Sequence, residues 1–499
     1  MPSLLTATLL AGAASTAFGH ISYPIHHRSV AGGSGGMQKR SASYDGAVLN
    51  NNSYTSYIID LEIGTPPQLV SVQIDTGSSI LWMNANCDNA ANVPYCKEQS
   101  QFDSAKSSTW KSLNQTDTIT YGSGNATLNQ GTDVVRIPAA AGGTEMSIPA
   151  LEFGVAEETY ILSVGILGVS FGQIGELTEY PNVIDQLYLN NLTNGRVFSM
   201  ALGNVTNRVA GDGVIIFGGV DTKKFTGPLV PLPNLPEQKT DPYPIPRYWV
   251  NMDSITINGT ELVKPSNTSS NTTTANTPIT SPELFSDING PVIMDSGTSF
   301  LQLPTTFMEA IAKTMGGSIV DGTVIVDCAW QTAPGSLEFV FGESNTDMVV
   351  IDVPLAAMVL EDEGMCGLGI QSSDGDIMIM GDILMRQAYY VFDQDNQYIY
   401  MAPYADCGSA EETLPKLTSG EFFNYTGQCS TAAFVEETAA IASMAAQATA
   451  SPTATKTGGS SSATSGSAGA SGTAKASAGN SVAVSAILLA AGFAVSLFV

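Results

Sequence analysis

The feature that most constrains this chain is a repeat. "LVSVQIDTGSSILWM" at residues 69–83 and "GPVIMDSGTSFLQLP" at 290–304 share one grammar: an apolar run ends on a single carboxylate, Asp75 or Asp295, and a Thr-Gly-Ser or Ser-Gly-Thr turn follows. In the first copy Val70, Val72 and Ile74 alternate with Ser71 and Gln73, which predicts a strand of period two. Gly77 then supplies the tight turn that leaves Asp75 at the strand end. One such tetrapeptide would be an ordinary Asx turn. Two copies with matching flanks, each followed by an apolar-apolar-Gly stretch ("VGILGV" with Gly168, "IMIMGDIL" with Gly381), predict two related halves.

Length agrees with that division, since 499 residues exceed what one hydrophobic core supports. The 49 Gly and 25 Pro suggest many turns, as in strand-rich proteins. A formal charge of -27, from 46 acidic and 19 basic residues, argues against nucleic acid and anionic lipid surfaces as partners.

Residues 1–19, with an apolar stretch from Leu4 to Ala14 and the small-residue end "AFG", read as a signal peptide. Residues 20–40 read as a propeptide ending at the dibasic Lys39-Arg40, cut after Arg40 by a processing protease. The three histidines, His20, His26 and His27, would leave with that leader. Hydrolysis by Ser-His-Asp or Cys-His groups and His-ligated zinc are then excluded, and carboxylates remain. Before its removal, the histidine-bearing leader is expected to mask the acidic cleft.

Behind a signal peptide, Cys87, Cys96, Cys328, Cys366, Cys407 and Cys429 read as three disulfides. Six cysteines allow fifteen pairings. Sequential pairing, Cys87–Cys96, Cys328–Cys366 and Cys407–Cys429, is the expectation because it closes one short loop in each half and a C-terminal clasp. N-glycosylation sequons stand at Asn51, Asn114, Asn125, Asn191, Asn204, Asn258, Asn267, Asn271 and Asn424. Residues 267–282 read as a solvated inserted loop, and 431–481 as a Ser/Thr-rich stalk unable to bury a core. The uncharged 482–499 has no basic residue after it. It resembles a GPI-attachment signal, with the attachment residue in 467–479, rather than a retained membrane helix.

From Tyr54 to Pro403 the sequence resembles the pepsin-like aspartic proteases, nearest in architecture to GPI-anchored fungal yapsin-like and candidapepsin-like members. Beyond the two acid motifs, "ITYGSG" at 119–124 resembles the family's flap. "GVIIFGGVD" at 213–221 and "YWVNMDSITING" at 248–259 resemble its inter-lobe segments, and "IMGDILMRQAYYVFDQDNQYIYMAP" its C-terminal signature. The resemblance implies an all-β, bilobal fold: two pseudo-symmetric barrel-like lobes, 41–235 and 236–430, with a cleft between them. It makes Asp75 and Asp295 the catalytic pair of an endopeptidase. Ser78 and Thr298 would bond the outer carboxylate oxygens, and Thr76 and Ser296 would hold the two loops together, each beside its glycine, Gly77 or Gly297. Gly168 and Gly381 would pack under the loops. Tyr121, Gly122 and Ser123 would form the flap over an extended peptide, with Trp82 bonded to Tyr121.

Two adjacent carboxylates cannot both ionise, so they share a proton and can activate a water without metal or cofactor. A glycosidase also uses paired acids, but they would not be expected in duplicated Asp-[Ser/Thr]-Gly turns. A non-catalytic surface or adhesion protein on the same fold is the other alternative. Retention of both acids, Ser78, Thr298 and Tyr121 argues against it. Gln73 and Ile80 are expected near substrate subsites, and Asp382 and the acidic run 361–364 in solvent or in turns, with no part in the chemistry. Monomeric protein on the outer face of the plasma membrane, carried by its lipid anchor, is the implied destination, with the cell wall as the alternative.

Overall fold

The computed structural model describes residues 20–29, 55–430 less short internal stretches (the longest 139–145, 237–246 and 259–282), and 497–498. The signal peptide, Lys39-Arg40, the whole 267–282 loop, the stalk and nearly all of the tail lie outside the described residues. So do Ser123, Asn51, Asn204, Asn267 and Asn271.

The fold is mostly β, in two lobes. In the first half the strands run, in spatial order, Val197–Ala201, Gly213–Phe217, Ile21–Ser29, Thr55–Ile63, Gln68–Asp75, Gly165–Gly168, Leu81–Asn84, Met146–Tyr160, Gly124–Ile137 and Lys111–Tyr121. In the second half Trp249–Asn258 lies between Gly290–Met294 and Ser336–Phe341, and Gly290–Met294 continues to Met378–Met380 and Leu301–Leu303. Each acid-bearing strand has a parallel neighbour carrying the matching glycine stretch. Asp75 lies opposite Gly168, and Met294, just before Asp295, lies opposite Met380, just before Gly381.

The strand ending in Asp75 departs from its predicted half-exposed alternation. Ser71 and Gln73 are buried along with Val70, Val72 and Ile74. Their polar ends are satisfied internally, Ser71 Oγ donating to Asp60 Oδ1 and Gln73 Nε2 to the Gly297 carbonyl. Both faces are therefore covered, as buried polar groups with partners permit.

Between the second acid loop and the lobe's outer strands lies the helix Thr305–Met315. Met308, Ile311, Ala312 and Met315 recur at three- and four-residue spacing and form its buried face. Gly316, at φ 66, ends it in the left-handed conformation that glycine adopts without a Cβ clash.

The segment boundaries expected from the sequence are crossed at both ends. Ile21–Ser29, within the proposed leader, is an inner strand: Ile21–Ile25 pairs with Gly213–Phe217 and His26–Ser29 with Thr55–Ile58. Ile21, Tyr23 and Ile25 are core residues. The histidine-bearing segment thus lies in the sheet and not across the cleft. His20 bonds Thr413 Oγ1 through Nδ1 at 2.7 Å. From the other end, Ala388–Asp393 pairs with Val197–Ala201, and Tyr398–Pro403 with Val230–Pro233. Glu411–Thr413 and Thr426–Gln428 add to Gly219–Asp221 and Thr226–Pro228. Residues 236–430 therefore do not form a lobe by themselves, because their last strands find their hydrogen-bond partners in the first half.

The disulfides are Cys87–Cys96, Cys328–Cys366 and Cys407–Cys429, the last holding the returning C-terminal strands together. Asn114, Asn191 and Asn424 are exposed and Asn125 is half-buried; the Asn258 side chain is outside the described residues. Among the described residues no helix is long and apolar enough to cross a membrane.

Candidate active site

The two acid turns are built alike. Gly77 N–H donates to Asp75 Oδ1 at 2.8 Å, and Ser78 Oγ to Asp75 Oδ2 at 2.5 Å. Gly297 N–H donates to Asp295 Oδ1 at 2.8 Å, and Thr298 Oγ1 to Asp295 Oδ2 at 2.5 Å. An acid followed by small residues closes this bond pattern locally, which is why it was readable from the tetrapeptides.

Below the acids, Thr76 and Ser296 exchange places. Ser296 N–H donates to Thr76 Oγ1 (2.9 Å), whose hydroxyl donates to the Met294 carbonyl (2.8 Å). Thr76 N–H donates to Ser296 Oγ (3.1 Å), whose hydroxyl donates to the Ile74 carbonyl (3.0 Å). Each hydroxyl is both acceptor and donor across the boundary between halves. Gly168 and Gly381 lie directly beneath: a Cβ on Gly168 would come within 2.5 Å of Ile80 N, and one on Gly381 would strike the Thr298 and Phe300 carbonyls.

Asp75 and Asp295 are fully buried, and each carboxyl lies close enough to act on the other's ionisation. Burial, then the charge of Asp295, raises Asp75 well above the usual carboxylate range. Burial also raises Asp295, opposed by the Thr298 and Gly297 hydrogen bonds and more weakly by the Arg247 charge. A buried pair of this kind titrates as one coupled unit that retains one proton.

The flap is the hairpin of Lys111–Tyr121 and Gly124–Ile137, in which Tyr121 faces Gly124 across the turn and Gly122 is exposed. Trp82 Nε1–H donates to the Tyr121 hydroxyl at 2.8 Å, and both rings join a separate apolar cluster with Ile119, Leu128 and Ile166. Burial holds the Tyr121 hydroxyl firmly protonated.

One expectation needs correction. Asp382 is not solvated: it is 2% exposed, and its charge, after that of Tyr57, acts on the buried Arg386. Gln73 is buried and ties the halves together through the Gly297 carbonyl. Ile80 lines a cavity beside the flap, along with Gln130, Asp117, Glu152 and Glu179. Sequence reasoning missed Arg247, Tyr248 and Gln394. Tyr248 hydroxyl donates to the Val169 carbonyl, and Gln394 Nε2 reaches Tyr248, Val169 and Ser170. Val169 and Ser170 in turn donate to the carbonyls of Asp75 and Ser78, so this buried network braces the first acid turn from behind. No local signal marks it, since the partners are remote in sequence. Among the described residues no group of His, Cys, Asp and Glu side chains could hold a metal ion.

The family model for eukaryotic aspartyl proteases matches residues 56–404. Pepsin A of Bos taurus is 30% identical over 371 residues, covering 72% of this chain and 86% of that protein. Barrierpepsin of Saccharomyces cerevisiae is also 30% identical, over 71% of this chain and 61% of that protein. Among solved structures, the aspartic proteinase from Irpex lacteus superposes with a TM-score of 0.54 at 19% identity, covering 77% of this chain and 98% of that one.

Proposed function

Since the chain belongs to the eukaryotic aspartyl protease family, it is an aspartic-type endopeptidase acting on proteins or peptides, and we propose that Asp75 and Asp295 are its catalytic pair. The observation that carries this is a pair of fully buried, interacting carboxyls, each fixed by a corresponding backbone N–H and hydroxyl donor and linked beneath by Thr76 and Ser296.

With one proton between them, the ionised member takes a proton from a water while the protonated member donates to the peptide carbonyl oxygen. The water oxygen bonds to the carbonyl carbon and gives a tetrahedral diol. The C–N bond then breaks as the amine leaves with a proton from the pair. Thr76 and Ser296 keep the acids in register, so no reorganisation is needed at the moment of attack. Tyr121, buried and held by Trp82, closes one side of the cleft over an extended substrate whose main chain pairs in strand fashion. The reaction needs no metal or cofactor.

The finer reading is of a secreted, monomeric enzyme, processed after Arg40, N-glycosylated, and tethered by a lipid at the end of the 431–481 stalk. Its support is the three closed disulfides, the exposure of Asn114, Asn191 and Asn424, and the composition of the tail. The test of the catalytic assignment is cleavage of an unfolded protein substrate at acid pH by enzyme that retains residues 20–29. Asp75→Asn should lower kcat by about 10²-fold or more. Undiminished activity in that variant would refute the assignment.

A further inference from the structure

Behind the first acid turn lies a buried ion cluster that takes no part in the proton transfers. Arg196, 9% exposed, meets Asp395 twice: its backbone N–H donates to Oδ2 at 2.9 Å and its Nε–H to Oδ1 at 2.8 Å. Its Nη1 lies 3.8 Å from Oδ1 of Asp185, an acid with no exposed surface. Gly195 leaves room for this approach, since a Cβ there would come within 2.9 Å of Asp395 Oδ2. One guanidinium thus joins two acids that are far apart in the sequence.

Each acid is tied to a side chain that grips the backbone under Asp75. Asp185 belongs to the capping box of the helix Val183–Leu189: its Oδ2 accepts from Asn182 N–H at 3.3 Å, and its own N–H donates to Asn182 Oδ1 at 3.1 Å. Asn182 Nδ2, aimed in this way, donates to the Ser170 carbonyl at 2.8 Å. Asp395 follows Gln394, whose backbone N–H donates to the Arg196 carbonyl at 3.0 Å and whose Nε2 donates to the same Ser170 carbonyl at 3.1 Å. Ser170 N–H in turn donates to the Ser78 carbonyl at 2.9 Å. Ser78 Oγ is the donor to the outer oxygen of Asp75.

We propose that Arg196 is a positioning residue for the reaction: by clamping Asp185 and Asp395 it fixes Asn182 and Gln394 on the Ser170 carbonyl, and so holds the Ser78 hydroxyl on Asp75. The inference rests on the reading of Asp75 and Asp295 as the catalytic pair. A guanidinium suits the task because Nε and Nη1 address different acids from one rigid plane, which the point charge of a lysine cannot do. Without it Asp185 would be a buried carboxylate lacking its counter-ion, and its hold on Asn182 would loosen. The hydrogen bond from Ser78 favours the ionised form of Asp75. Weakening that bond raises the proton affinity of the coupled pair, so the low-pH limb of the rate profile moves to higher pH.

The experiment measures kcat and KM against pH for one peptide substrate, with enzyme that retains residues 20–29, at a temperature where every variant is folded. Arg196→Met should lower kcat about fivefold with KM unchanged, and should move the low-pH limb up by about half a unit, in the direction expected of Ser78→Ala. Arg196→Lys should behave like Arg196→Met, because charge without the fork does not bridge both acids. Added to Ser78→Ala, Arg196→Met should shift the limb no further, since both act through one hydrogen bond. Should Arg196→Met not fold, Asp395→Asn, at a partly exposed acid, should give the same shift in smaller measure. A profile that overlays the wild type in the folded variant, full recovery by Arg196→Lys, or a shift that adds in full to that of Ser78→Ala overturns the clamp and leaves the catalytic pair intact. Undiminished activity in Asp75→Asn removes the catalytic reading, and the role of Arg196 with it.

Discussion

The two halves carry the same acid turn in different settings. Around Asp75 and Asp295 the donors correspond one to one, with Ser78 matched by Thr298 and Thr76 by Ser296. Beyond that shell and the matching glycine strands beneath it, the halves differ. The first half holds the flap, the Trp82–Tyr121 bond and the acidic cavity, and its sheet takes in strands from both chain ends, Ile21–Ser29 and Ala388–Pro403. The second half has Arg247 acting on its acid. The acid turns are therefore shared equally between the halves, whereas the flap hairpin and the strands from both chain ends belong to the first.

The imported strand gives the largest expected effect. Ile21, Tyr23 and Ile25 are each almost fully buried, and large apolar side chains stabilise by about 1.5–3 kcal/mol apiece. Deleting residues 20–29 should thus remove about 5 kcal/mol or more, a large part of a typical net stability. Expressed without those residues, the protein should be insoluble or melt far below the full chain. A cut after Arg40 in folded protein should instead leave the strand bound, which denaturing mass spectrometry of the purified enzyme would detect. A deletion mutant with an unchanged melting temperature would make the two halves structurally independent of the chain ends.

Next in size, Asp75→Asn and Asp295→Asn should each lower kcat by about 10²–10⁴-fold, and by similar factors. Activity surviving in one of them breaks the symmetry of the pair. Thr76→Ala and Ser296→Ala test the same symmetry in stability. Each removes a buried donor and strands an amide in the opposite half, so each should cost about 2–4 kcal/mol in denaturant unfolding. Thr76→Ser, which copies the second half, should cost less than about 1 kcal/mol, because only a methyl is lost. Trp82→Phe sharpens the contrast on the flap side. Loss of the indole donor to Tyr121 removes roughly 1 kcal/mol and should lower kcat/KM about fivefold, with no counterpart in the second half.

What was legible in the sequence follows from the range of the interactions. The acid turns, their hydroxyl donors and the close-packed Gly168 and Gly381 are set within a few residues or by near-identical repeats, so the tetrapeptides announced them. Burial of Ser71 and Gln73 was hidden because their partners, Asp60 and Gly297, lie on other strands or in the other half. The bracing by Tyr248 and Gln394 was hidden for the same reason. So was the cavity, whose Gln130, Glu152 and Tyr180 come from two strands and a separate loop. The leader was misplaced over the cleft because a basic, histidine-bearing segment near an acidic protein invites an electrostatic reading. Its alternating Ile21, Tyr23 and Ile25 were the strand signal that outweighed it.

The central claim is that one proton is held jointly by Asp75 and Asp295, and the pH dependence of kcat/KM tests it most directly. Burial and mutual repulsion raise the pair above the ordinary carboxylate range, so the shared proton should persist well above pH ~4. The account predicts a bell: activity falls at low pH as the second proton binds, and falls again at higher pH as the shared proton leaves. A rate that rises once with pH and stays level to neutrality, with the enzyme still folded, would contradict it.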